Sequence, residues 1–220
     1  MSPTPDSIKQ LIESSDLGDR LRGVNQAREL DPAAGYQLIM QASQDDNARV
    51  RYAAVSQLDT LGDQNRQETA KLLRHLLLND PEADVQSAAA DALGGLKLTE
   101  AFEELQSVYH TTDEWLLKFS IVAALGELGD PRSFDLLTQA LESDITLVST
   151  AAIGSLGELG DPRAVPLLLS YVQADDWQVR HRVAQALGQF DTPEVKAALA
   201  QLSQDTSATV ADAAKHHLPE

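Results

Sequence analysis

The sequence predicts an all-α fold, an α-solenoid of about seven stacked helical hairpins that together form an α–α superhelix. Three observations indicate this class: the octapeptide LGELGDPR occurs at 125–132 and again at 156–163, each copy contains an Asp-Pro pair before its final Arg, and the apolar composition is aliphatic. Hydrophobic residues make up 43% of the chain, but aromatic residues only 5%. A core of Ala, Leu and Val suits close helix packing better than a β-sandwich, which favours β-branched and aromatic residues.

The repeat unit is clearest between Asp161 and Phe190, where two apolar helical stripes are separated by a polar break. Asp161 is expected to cap the first helix and Pro162 to open it, because the first helical residue needs no N–H donor. Asp175 and Asp176 supply the break and the next N-cap. The two stripes fall at Ala164, Leu167, Leu168 and Tyr171, and at Val179, Val183, Ala186 and Leu187.

Copies of this unit at an interval close to 31 residues give seven hairpins in one continuous domain, residues 1–220. Gly129 and Gly160 follow two second helices and are expected to be left-handed C-caps. The unit at 6–31 is degenerate and the last, from Pro193, is polar, as terminal repeats are when their outer faces meet water. We expect first helices on the convex side and second helices on the concave side. Two apolar positions recur in the second helices, at Val50, Val85, Leu117, Val148, Val179 and Val210, and at Leu58, Leu93, Leu125, Leu156, Leu187 and Leu218.

The chain is strongly acidic, with 34 acidic and 17 basic residues and a net charge of −17 at pH 7. Binding to nucleic-acid phosphates needs clustered Lys and Arg, so this balance argues against a nucleic-acid partner. An anionic membrane surface also repels a chain with this negative charge. Solubility alone is the simpler explanation of the acidity.

The chain contains no cysteine, which excludes disulfides, thiolate nucleophiles, cysteine-rich zinc sites and a covalent thioether adduct on this protein. No apolar run reaches the length of a bilayer, and the N-terminus lacks a stretch typical of a signal peptide. We therefore expect no membrane insertion and a cytoplasmic location.

Aromatic residues recur at matching positions of the second helices. Trp115 and Trp177 occupy the same position two repeats apart, and Phe119 and His181 follow each of them by four residues on the same helix face. Tyr52 is the equivalent of these two residues in the second unit. We expect this row on the concave wall, opposite the valine stripe. Basic residues flank it at Arg51, Lys118, Arg180 and Arg182.

Two interpretations of this row remain open. In the first, it is a binding surface, since aromatic anchors with nearby Arg are enriched at protein hot spots and suit an open-chain tetrapyrrole whose propionates pair with Arg. In the second, the tryptophans cap hairpin loops and pack on neighbouring repeats. Arg51 and Arg180 then form an inter-repeat ladder with loop aspartates.

The sequence assigns no catalytic residue and no metal site. None of the five histidines belongs to an HExxH motif or a comparable ligand pair. The adjacent His216 and His217 are interpreted as part of a frayed C-terminal tail rather than as a metal site. A general-base role for His181 is one interpretation, since the free imidazole group ionises near neutral pH, but a solvated or partner-facing histidine is the simpler one.

The repeat carries a recognisable motif, D-x-x-V-R-x-x-A-x-x-A-L-G, followed by L-G-D-P-x-A-V-P-x-L. This motif resembles the phycobilisome-lyase subtype of HEAT repeat, and the resemblance extends over nearly the whole chain. Asp46, Val50 and Arg51 repeat its start in the second unit. Elsewhere the match lies at Asp176, Val179, Arg180, Leu187, Gly188, residues 160–166 and Leu168.

A chain of this length made only of such repeats resembles the cyanobacterial phycobilisome degradation proteins and, beside them, the E/F-type bilin lyase subunits. The resemblance implies an adaptor that docks phycobiliprotein subunits in its concave groove and assists phycobilisome degradation. One alternative is an enzyme, a bilin lyase or chromophore-detaching factor; another is a generic scaffold for an unrelated partner. The resemblance also allows phycocyanobilin as a cofactor, which must be held noncovalently because the chain has no cysteine.

Overall fold

The computed structural model describes residues 3–218, and within that range it contains helices and no strand. Residues 1–2 and 219–220 of the predicted domain lie outside the described part of the chain. Two short 3-10 helices occur at Gly62–Asn65 and Thr99–Ala101. The α-helices are α1 Pro5–Ile12, α2 Leu17–Ala27, α3 Pro32–Ala42, α4 Ala48–Val55, α5 Leu58–Leu61, α6 Arg66–Asn79, α7 Ala83–Gly95, α8 Phe102–Thr111, α9 Trp115–Leu128, α10 Ser133–Leu141, α11 Thr146–Leu159, α12 Ala164–Leu169, α13 Trp177–Leu187, α14 Pro193–Leu202 and α15 Ala208–His216.

The helices form seven consecutive hairpins, which confirms the predicted α-solenoid class. The first helices of the hairpins are α1, α3, α6, α8, α10, α12 and α14, and the second helices are α2, α4, α7, α9, α11, α13 and α15. Helix α5 is a short continuation of the second hairpin after a break at Ser56 and Gln57. The Gln57 amide donates to the Val24 carbonyl at 2.9 Å, which ties this break to the preceding hairpin.

The chain divides into two compact units, residues 1–121 and 122–220, and the division falls within α9. Each unit is built from hairpins of the same kind. The expectation of one continuous domain stays a prediction.

The recurring apolar positions of the second helices form the core of each unit. The early position is completely or almost completely buried except at Val179, which is half-exposed. The later leucines are completely buried, with the exception of Leu218 near the end of the chain, which is half-buried. The sequence register therefore identifies the inward face of these helices in both units.

Small residues set the spacing between second helices in residues 122–220. A Cβ added at Gly126 would lie 2.7 Å from the Ser155 Cα, and one added at Gly157 would lie 2.6 Å from the Ala186 Cα. Both distances are shorter than any real contact of this kind, so neither position accommodates a side chain without moving backbone. Glycine here is a packing requirement rather than a source of flexibility.

The two copies of LGELGDPR fold alike. Gly129 and Gly160 have φ angles of 67° and 66°, which confirms the predicted left-handed conformation. The predicted helix start is wrong, because α12 begins at Ala164 rather than at Pro162. The Asp161 carboxylate accepts the Arg163 N–H at 2.9 Å and also pairs with the Arg163 guanidinium. It therefore closes a turn before the helix, in which the Ala164 and Val165 N–H groups donate to the Asp161 and Pro162 carbonyls.

The same turn recurs at Asp130, whose carboxylate pairs with the Arg132 guanidinium at 2.7 Å. Hydrogen bonding to Arg132 holds the pKa of Asp130 below its ordinary value. In the second copy, the Arg163 guanidinium also lies 3.9 Å from the centre of the Phe134 ring in the preceding hairpin, a cation–π contact. The second Asp-Pro-Arg turn thus fastens the start of α12 to the preceding hairpin.

Candidate functional site

In residues 3–121, two aromatic side chains of the predicted row lie on the exposed face of second helices. Tyr52 on α4 is 48% exposed, and Trp115 at the start of α9 is 46% exposed. Phe119 and Lys118 are half-buried. These two rings are among the few large apolar side chains that the described residues leave exposed.

Tyr52 stands between two grooves. One, of about 510 Å³, is lined by residues of α2, α4 and α5, including Asn25, Arg28 and Asp59. The other, of about 400 Å³, is lined by Arg49, by Glu82 and by other residues at the starts of α4 and α7. The sequence analysis did not identify Arg49, an exposed cation three residues before Tyr52 on the same face.

In residues 122–220, Trp177 at the start of α13 is 45% exposed and His181 is half-buried. Arg182 is exposed, and its aliphatic stem lies over Gly154 of α11, with its Cδ 3.3 Å from the position of a Cβ there. Leu147 of α11 is 54% exposed. The sequence analysis missed Leu147 because it precedes the buried Val148 and lies outside the aromatic register.

His181 lies close to the adjacent histidines of the C-terminal helix, in a groove between α13 and α15. His181, His216 and His217 line one groove of about 500 Å³ with Gln185 and Asp212. The His217 ring packs on Gly188, where an added Cβ would lie 2.3 Å from its Nδ1. Burial, and to a lesser extent His216, lowers the pKa of His217. The prediction of a frayed tail is therefore wrong for His217, because glycine at 188 leaves room for its ring to pack, while His216 is the exposed last residue of α15.

Arg51 and Arg180 form the inter-repeat contacts that were predicted as the structural alternative. The Arg51 guanidinium donates to both carboxylate oxygens of Asp80 at 2.7 and 2.8 Å, and Nη1 donates to the Asp45 and Asp46 carbonyls. Arg180 pairs in the same way with Asp205, at 2.7 and 3.0 Å. These bonds raise the pKa of both arginines. Direct contact of either arginine with a partner stays a prediction.

A third pair lies at the start of the chain, where Arg20 Nε is 2.9 Å from Asp45 Oδ2. Sequence analysis missed it because the first unit is degenerate, although Arg20 and Arg51 are separated by the same 31 residues as the octapeptides. The intervening units have other residues at both ladder positions. Gln86, Lys118 and Ser149 replace the arginine, and Thr112, Ser143 and Ala174 replace the aspartate.

Lys118 occupies the arginine position of the fourth hairpin and points away from the aromatic row. Its ammonium lies 5.7 Å from the centre of the Tyr109 ring on α8. Of the four basic residues predicted to flank the row, only Arg182 is exposed, since Arg51, Lys118 and Arg180 are half-buried against the repeat interior. The row therefore carries fewer available cations than its sequence indicates.

No group of three or more His, Asp or Glu residues within 3–218 is arranged to hold a metal ion. Across the same described residues, no helix is both long and apolar enough to cross a bilayer.

A model of HEAT repeats matches residues 4–94, 70–153 and 146–218. Because the match extends over nearly the whole chain, the protein belongs to the HEAT-repeat family. No protein of established function is significantly similar to it in sequence.

Several solved structures are similar to the chain in fold. A chain from the complex of CpcE and CpcF of phycocyanin lyase from Nostoc sp. PCC7120 is 21% identical, with a TM-score of 0.65 over 99% of this chain and 94% of that one. An archaeal HEAT-like repeats protein from Thermococcus onnurineus NA1 is 14% identical, with a TM-score of 0.55 over 99% of both chains. Kap95p in its complex with RanGDP is 16% identical, with a TM-score of 0.59 over 97% of this chain and 35% of that one. At these identities the similarity establishes the fold.

Proposed function

We propose that this protein is a binding adaptor that docks a phycobiliprotein subunit on its second helices and assists phycobilisome degradation. The repeat motif and the similarity in fold to a phycocyanin lyase complex both support a phycobiliprotein as the partner. The observation that carries the proposal is the near-half exposure of Tyr52, Trp115 and Trp177 on second helices. Tyr and Trp anchor interfaces because they bury large surfaces at a small cost in conformational entropy.

A bilin lyase or chromophore-detaching enzyme is the second candidate. An open-chain tetrapyrrole needs a stacking surface and cations for two propionates. In residues 122–220 Trp177 offers the first and Arg182 one of the second, while Arg180 is committed to Asp205. Because the chain has no cysteine, phycocyanobilin would be held noncovalently. Only one arginine of this set is exposed and able to pair with its propionates, which favours the adaptor over the enzyme.

The test mixes the protein with holo-phycocyanin and follows size-exclusion elution and visible absorbance together. An adaptor co-elutes with phycocyanin and leaves its absorbance unchanged. Pigment that appears on this chain supports the enzyme instead. If neither occurs at micromolar concentrations, the phycobiliprotein partner is wrong and a scaffold for an unrelated partner remains.

Matched variants locate the surface. Trp115→Ala and Trp177→Ala should each weaken phycocyanin binding by about ten-fold or more, as expected for hot-spot aromatics. Leu78→Ala is the control, because Leu78 is equally exposed at 47% but lies on α6, a first helix. Equal losses for the tryptophan variants and the control would contradict binding on the second helices.

A further inference from the structure

An exposed apolar pair lies at the loop edge of residues 122–220. Leu147 is the second residue of α11 and Trp177 the first residue of α13. The close approaches of Gly154 to Arg182 and of Gly157 to Ala186 fix these helices side by side and in parallel. That register places Leu147 and Trp177 at the same end of adjacent helices.

Acidic residues surround this pair. Glu142 and Asp144 precede α11, Asp175 and Asp176 precede α13, and all four are exposed. Asp175 and Asp176 interact electrostatically with Arg180, whose guanidinium pairs with Asp205. Arg180 is committed to Asp205, and its Nη1 donates to backbone carbonyls in the loop before α13. The loop edge therefore carries two exposed apolar side chains and four exposed carboxylates, with Arg180 engaged by Asp205.

We propose that this loop edge, defined by Leu147 and Trp177 with Asp144, Asp175 and Asp176, binds a protein segment whose apolar side chains are flanked by Lys or Arg. The charge selects the occupant. A second copy of this chain carries −17 and is repelled, as is an acidic segment, whereas a cationic segment is attracted and its apolar side chains cover the exposed pair. The choice of a protein as the ligand rests on the proposed adaptor function.

The probe is a fluorescein-labelled synthetic peptide of Leu and Lys at helical spacing, about 18 residues and so about five turns long. A peptide with Glu in place of Lys is its matched control. Fluorescence anisotropy should show binding of the Lys peptide only, weakening as salt screens the charges. In a Trp115→Phe background Trp177 is the sole tryptophan, and its emission should shift to shorter wavelength on binding.

Variants separate the apolar and charged contributions. Leu147→Ser and Trp177→Ser should each weaken binding by about ten-fold or more through lost burial. The triple variant D144N/D175N/D176N should weaken binding several-fold at low salt and leave the caps intact, since Asn is also a good N-cap. The control D6N/E29Q/E100Q makes the same change in net charge at exposed sites of residues 3–121 and should leave binding nearly unchanged.

Equal binding of the Glu and Lys peptides, or equal effects of the two triple variants, would overturn the proposal. Phycocyanin tested on the same variants separates this proposal from the adaptor function. If phycocyanin binds but all loop-edge variants bind it normally, the loop-edge site is wrong and the adaptor function stands. If phycocyanin does not bind but the Lys peptide behaves as expected, the loop-edge site stands and its partner is another protein.

Discussion

Arg180 and Asp205 lie in consecutive hairpins and are joined by two parallel hydrogen bonds, Nε to Oδ2 at 2.7 Å and Nη2 to Oδ1 at 3.0 Å. Asp205 Oδ1 also accepts the Ser207 N–H at 2.8 Å, while Arg180 Nη1 binds two carbonyls of its own hairpin loop. One side chain therefore connects the loop of its own hairpin to the loop of the next. Arg51 and Asp80 reproduce this arrangement near the other end of the chain.

Arg180→Ala should destabilise the protein by about 2 kcal/mol, because it leaves the nearly buried Asp205 and two loop carbonyls without their donor. Arg182→Ala is the control: Arg182 is exposed and its loss should change stability by no more than about 0.5 kcal/mol. Urea unfolding followed by circular dichroism measures both. Equal effects of the two substitutions would contradict a structural role for the ladder.

The same pair makes stability depend on acid pH. Hydrogen bonding to Arg180 holds the pKa of Asp205 below its ordinary value of 3.8. The unfolded chain therefore binds this proton first as pH falls, so the contribution is present at neutral pH and is lost from about pH 4 downward.

Asp205→Asn removes the titrating group while keeping an acceptor for the Ser207 N–H. The difference in unfolding free energy between wild type and Asp205→Asn should be constant from about pH 7 to 5 and close below about pH 4. Urea unfolding across this range measures it. A difference that persists unchanged at pH 3 would show that the charge of Asp205 contributes nothing.

Gly157→Ala should cost about 1–3 kcal/mol, because its Cβ would meet the Ala186 Cα at 2.6 Å and only backbone movement could relieve the clash. Gly154→Ala on the same helix would meet the flexible Arg182 stem at 3.3 Å. A gain in helix propensity of up to about 1 kcal/mol offsets that contact, so its net effect should be small. Thermal unfolding of the two variants compares them, and a harmless Gly157→Ala would refute the close helix approach.

An Arg–Asp pair can be introduced between the fifth and sixth hairpins, where the inter-repeat ladder lacks one. Ser149 and Ala174 occupy the ladder positions there, so S149R/A174D should restore an Arg–Asp pair. The double variant should be about 1–2 kcal/mol more stable than the sum of the single variants predicts. A double-mutant cycle in urea measures the coupling, and S149R paired with A174N controls for the charge. Zero coupling would mean that the loops are not positioned alike in every repeat.

The sequence register predicts the hairpins, the inward valines and leucines, and the left-handed Gly129 and Gly160, because each follows from local periodicity or backbone geometry. It also predicts the helices and faces that carry Trp115 and Trp177. The hydrogen-bond partner of Arg180 is harder to predict from sequence, because it depends on how two loops align across the interface between repeats. Only the spacing of arginines against loop aspartates indicates it.

Two misses have other physical causes. Asp161 was predicted to cap a helix that starts at Pro162, but the Ala164 and Val165 N–H groups donate to the Asp161 and Pro162 carbonyls in a turn, and the helix begins at Ala164. Leu147 was missed because it is next to the buried Val148 in sequence. Successive helical residues point about 100° apart, so Leu147 lies on the exposed face while Val148 is buried. Contact of this face with a partner stays a prediction.

The two identical octapeptides end their helices in the same conformation, and Gly126 and Gly157 each face a small residue of the following second helix. The segment between the two octapeptides is thus one exchangeable repeat unit. Its removal or duplication would rejoin the chain at an unchanged junction, with the left-handed glycine and the Asp-Pro-Arg turn still in place. A chain built this way can gain or lose whole hairpins while every connection between hairpins keeps its geometry.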